Sequence, residues 1–168
     1  KLFIFCSLFA LLARQAGAQQ SESGILSELR EGLPGAFQER DACTNMLIKY
    51  STTKSADPVV QGYLGALKIA QSRHAPLQDK LRYFRTGRDQ LEMAISRKPN
   101  HLELTFLRLT IQSNLPGILG YSDNLENDKR FVRDHYTEAP PLLKKRIVTF
   151  VHQSEAFTDD EKSRFNSH

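Results

Sequence analysis

Four polar side chains stand where helical periodicity asks for apolar ones, and their types name the chemistry they could do. In the stretch PLQDKLRYFRTGRDQLEMAIS, which begins at Pro76, Leu77, Leu81, Phe84, Leu91 and Ile95 recur at helical spacing, and Arg88 takes the one seam position that is not apolar. Arg108 and Gln112 lie one turn apart on a following helix that Leu102, Leu104, Phe106, Leu107, Leu109 and Ile111 make apolar on nearly every side. Asp128 sits between Leu125 and Val132, and Glu92 lies one turn beyond Arg88. A buried unpaired charge costs several kcal/mol, so these groups are expected to find one another. One outcome is a structural ion-pair network that fixes helix register. The other is a pocket whose arginines meet a ligand carboxylate or phosphate, built on Arg85, Arg88, Glu92, Arg108, Gln112 and Asp128 with Tyr121 at its mouth.

Other constellations point less far. Arg73, Lys80, Arg82, Arg85 and Arg88 outnumber Asp79 and Asp89, and Tyr83 and Phe84 interleave with them. Such a stretch could hold and stack a nucleic acid, but most charge runs on helices are solvated faces, and no nucleic-acid partner is expected. His101 and Glu103 form an H-x-E, yet two residues apart on a helix they point about 200° away from each other and do not share a metal. Asp128 and His135 share a face but make only two ligands. No H-E-x-x-H, nucleophile elbow, glycine-rich phosphate loop or C-x-x-C occurs, and Gly-Tyr-Ser-Asp at 120–123 reads as a helix start. The sequence therefore implies no metal, no cofactor and no catalytic residue, and leans away from an enzyme.

The elements that must position these groups are all helical. A first pattern runs from Ile25 to Tyr50, with a break or kink expected at Pro34-Gly35. A polar loop over 51–56 ends at Asp57-Pro58, a cap followed by proline, and opens a helix to about His74 in which Gly62 and Gly65 suggest close approach of a neighbour. The central pair follows, separated by Lys98-Pro99-Asn100, with Asn100 and Glu103 as a capping pair. Leu115-Pro116-Gly117 ends the buried helix. Asp123 with Glu126 caps the next, Pro140-Pro141 starts another, and Thr158 with Glu161 caps the last. No stretch alternates with period two. The fold class expected is all-α, a compact bundle of about seven helices.

At the N-terminus Lys1, the apolar run Leu2 to Leu12 and Ala16-Gly17-Ala18 have the pattern of a signal peptide, with cleavage between Ala18 and Gln19. Residues 1–18 then form the signal and 19–168 a single all-helical domain without a transmembrane segment. Loss of Lys1 and Arg14 with the leader lowers the formal net charge of +4 by two, which gives no support to a global nucleic-acid or anionic-membrane function. Cys6 lies within the apolar run, so a lipoprotein anchor is not expected. Cys43 remains alone, excluding an internal disulfide, and reads as a small core residue. The localisation expected is periplasmic or secreted.

The segment LEMAISRKPNHLELTFLRL, Leu91 to Leu109, resembles the junction between tetratricopeptide repeats, where a helix ending in A-[IL]-x-x-x-P-x leads into the next repeat. Ala94, Ile95, Pro99 and Asn100 carry the match, which covers about 20 residues of a period of about 34. The resemblance implies α-hairpin packing of the tetratricopeptide kind. The order KLRYF, G, LE, AI, PN, LRL, LGY and DK, taken with the N-terminal segment, also resembles small exported proteins of Bacteroidota-type bacteria, which implies a compartment and a fold type and no chemistry. The function expected is an exported helical protein-interaction or scaffolding module whose partner is another envelope protein or peptide. The alternative is a small-molecule, anion-binding or enzymatic pocket on the inward arginines and carboxylates.

Overall fold

The computed structural model describes residues 22–165. The segment read as a signal lies outside them. Among the described residues all regular structure is helical: α1 (22–38), α2 (Arg40–Tyr50), α3 (Pro58–His74), α4 (Leu77–Arg97), α5 (Leu102–Ser113), α6 (Leu125–His135), α7 (Pro141–Gln153) and α8 (Asp159–Ser163), with 3-10 turns at Gly117–Leu119 and Tyr136–Glu138. Backbone contacts divide them into two units, residues 22–90 and 91–165, so α4 gives residues 77–90 to the first and 91–97 to the second.

In the first unit α1 continues through Pro34-Gly35, where a break or kink was expected, without a break, and the chain leaves the helix only at Glu39, whose φ of −118° and ψ of 128° are extended. Pro34 is exposed, while Leu29, Leu33 and Ala36 beside it are buried. Their burial offsets the roughly 3 kcal/mol that a proline inside a helix costs. The split at Glu39 is why the N-terminal pattern yields two helices. Glu28 on α1 accepts from Tyr50 and Lys49 on α2, and His74 at the end of α3 bonds the Ala36 carbonyl at 2.9 Å. Asp57 caps α3 as expected, its Oδ1 accepting from the Val59 N–H at 2.8 Å.

α3 meets α4 through glycine. A Cβ at Gly87 would lie 2.5 Å from the Gly65 carbonyl oxygen and 2.7 Å from the Ile69 nitrogen, so the backbones touch where neither helix can carry a side chain. The apolar seam of α4 is covered only in part. Phe84, Leu91 and Ala94 are buried and Ile95 is half-buried, whereas Leu77 and Leu81, read as inward, are exposed at 84% and 46%.

In the second unit Phe106 and Leu109 of α5, Val132 of α6, Ile147 and Val151 of α7, and Tyr136, Phe157 and Phe165 form one core. Its rings meet edge-on, Phe106 with Phe150 at 5.6 Å and Phe157 with Phe165 at 6.0 Å. Two expected caps are replaced. Asn100 takes a left-handed φ of 58°, which asparagine tolerates, and His101 stands at the N-cap of α5 without a side-chain cap. Asn124 rather than Asp123 precedes α6, also without one. The Thr158–Glu161 capping box of α8 is present in full.

Candidate functional site

Arg108 lies at the centre of the inward polar groups of the second unit. It projects from α5 toward the first turn of α6, where Asp128 meets it edge to edge: Nε donates to Oδ2 at 2.7 Å and Nη2 to Oδ1 at 2.8 Å. The remaining Nη1 donates to Glu92 Oε2 on the last turns of α4 at 2.8 Å. Glu92 Oε1 in turn accepts from the Tyr121 hydroxyl. Tyr121 is delivered by Gly120, whose left-handed φ of 59° closes the 3-10 turn before it. One guanidinium thus joins α4, α5 and α6, and the loop before α6 reaches it through Glu92.

These groups lie largely out of water: the side chains of Arg108 and Asp128 are 12% and 4% exposed. Burial works against the charge on Arg108, but the hydrogen bonds and charges of Asp128 and Glu92 outweigh it and hold the guanidinium protonated. Burial pushes the Asp128 carboxyl above its ordinary value, against the pull of Arg108. Burial and then Glu92 raise the Tyr121 hydroxyl, which therefore acts as a donor and not as a base. A ligand carboxylate seeking the arginine fork would have to displace Asp128 from a bidentate contact.

The remaining candidates separate. Gln112, one turn along α5, is buried, and both its amide oxygen and its amide nitrogen lack a hydrogen-bond partner among the described residues. Arg88 bonds its chain neighbour Asp89 through Nε at 2.9 Å and Nη2 at 2.7 Å, in place of the inward polar groups expected to meet it, Glu92 one turn along the same helix among them. Arg85 is exposed. Both arginines belong to the 22–90 unit, whereas Glu92, Arg108, Gln112, Tyr121 and Asp128 belong to the other. His135 spends Nδ1 on the Phe131 carbonyl at 2.8 Å and stacks on that ring. Burial pushes the Cys43 thiol up, which makes it a poor nucleophile. Among the described residues no three His, Cys, Asp or Glu side chains gather as a metal site, and no helix is long and apolar enough to cross a membrane.

Sequence reading overlooked a second charged group. Lys129 is buried, donating to Glu161 at 2.7 Å and to Glu126 at 3.3 Å, with its ammonium 5.0 Å from the Phe157 ring centre. With Arg130, Arg133 and Phe165 it lines a shallow cleft of about 90 Å³. Its signal was available: Lys129 falls on the row of Leu125 and Val132 at helical spacing, as Arg88 does on its own helix. Compared with known protein families, with curated proteins and with solved structures, the chain matches none.

Proposed function

We propose that the chain is an exported helical protein-interaction or scaffolding module of a bacterial envelope, built on α-hairpins of the tetratricopeptide kind and bearing no catalytic centre. The observation that carries this reading is the mutual satisfaction of Arg108, Asp128, Glu92 and Tyr121. The groups best suited to grip an anion are spent on each other, so the polar cluster braces helices and leaves binding to the outer faces. Those faces carry large exposed apolar side chains, Leu77, Leu81, Met93, Ile118 and Leu142 among them. Export rests on the pattern of residues 1–18.

A second reading, a small-anion pocket beside Arg108, is favoured by Gln112, whose buried amide lacks partners. Thermal unfolding in the presence of inorganic phosphate, citrate and acetate separates the two. An interaction module shows no rise in Tm with any of them beyond the general effect of salt. A saturable rise with one anion, abolished by Gln112→Leu, would establish the pocket instead.

A further inference from the structure

The apolar row of α4 does not stop where the core of the first unit stops. Phe84 is 3% exposed, but the same row runs on toward the helix N-terminus through Leu81 and Leu77, which stand in solvent one turn apart. On the helical wheel Lys80 falls on one flank of this pair and Arg85 one turn beyond Leu81 on the other. Both are exposed, and neither side chain has a hydrogen bond or ion pair among the described residues. Arg82 is occupied, bonded to Asp79 at 2.8 Å and lying over the Tyr83 ring at 4.3 Å. Arg73 in the last turn of α3 is exposed and adds a further cation next to this segment in the chain.

We propose that the N-terminal half of α4 docks an acidic amphipathic helix of another protein, one that presents leucine-sized residues three or four apart with carboxylates on both flanks. The proposal deepens the interaction-module reading and rests on it. Leu77 and Leu81 make a strip one turn long that a second helix matches with the same spacing. The free cations select the charge of that helix, because each would meet a carboxylate across a contact that excludes water. They also argue against a second copy of this chain, since a two-fold contact would set Lys80 and Arg85 against the same cations. The strip is small, so the contact is weak and transient, with its energy concentrated in the leucines.

Two fluorescent designed helical peptides test this, sharing one leucine pattern and differing only in glutamate or lysine flanks, titrated against the full chain by anisotropy. The glutamate peptide is expected to bind about ten-fold or more tightly than the lysine peptide. Leu81→Ser should weaken it about ten-fold or more, and Lys80→Glu with Arg85→Glu should reverse the preference. These positions are exposed, so circular dichroism of the variants should match the parent. Equal binding of the two peptides, no binding of the glutamate peptide, or indifference to Leu81→Ser overturns the proposal. So does Leu81-dependent binding to phosphatidylglycerol vesicles without binding of the peptide, which would make the strip a membrane contact. A protein partner that stays bound to the Leu81→Ser and charge-reversed variants overturns this site while leaving the module reading intact. The anion response lost on Gln112→Leu would remove the module reading itself.

Discussion

Arg108 sits between two carboxylates, more negative charge than it can neutralise, and its removal strands Asp128 while Glu92 keeps only the Tyr121 hydroxyl. Arg108→Leu leaves the buried Asp128 carboxylate without its partner and should cost about 3–5 kcal/mol. Asp128→Leu still leaves Arg108 its bond to Glu92 and should cost less. The double variant should be milder than Arg108→Leu alone, with a coupling of about 1–3 kcal/mol in urea unfolding. Simple addition of the two single effects would mean that the groups do not brace one another. Glu161 makes a different prediction. Burial pushes its carboxyl up, but the Lys129 ammonium and the Thr158 N–H pull it further down, so it ends below its ordinary 4.5. A lowered carboxylate stabilises the fold above its unfolded value, and that contribution disappears as pH falls through the folded one. The protection of the α8 amides, their exchange rate relative to an unstructured chain at the same pH, should therefore fall on acidification below about pH 4.5. Glu161→Gln should remove the pH step, and a step that persists in that variant would assign it elsewhere.

At the scale of elements the contact of α3 with α4 decides the sign of an ordinary stabilising change. Gly87→Ala in an exposed helix would gain about 1 kcal/mol. Here the new Cβ would meet backbone atoms of α3 within 2.7 Å, and backbone cannot swing aside. The expected result is a loss of about 1–3 kcal/mol in urea unfolding, and a gain would show that the helices are not in close contact there. Gly65 was legible as a contact glycine because, with Gly62, it puts a second costly glycine inside one apolar helix; Gly87 was not, because Thr86 and Arg88 disguise it as surface. The α4 seam was legible as a face, but periodicity tells which residues share a side and not whether anything covers them. Leu77 and Leu81 fell outside that cover. Pro34 misled in the opposite sense, since its local penalty was read without the buried leucines that outweigh it. The caps at Thr158 and Asp57 were legible because a short-range hydrogen bond decides them.

For the whole molecule the helical class was legible from the absence of period-two alternation and the regular spacing of turns and prolines. Of the polar groups singled out in the sequence only some come together: Arg85 is exposed and Arg88 bonds its neighbour Asp89. Arg108 and Asp128 stood out as polar groups on apolar rows, with Glu92 as a further partner, and the structure joins the three. Arg88 stood out equally, yet an adjacent aspartate satisfied it at no cost in helix position. Sequence spacing gives no distances between helices, so it could not choose between these partners. Function rests on what the satisfied cluster leaves for the surface to do. Native mass spectrometry of the protein isolated from its source cells tests that most directly: the account predicts a chain beginning at Gln19 in a stoichiometric complex with a second protein, whereas a chain carrying one small anion, lost on Arg108→Ala, would contradict it.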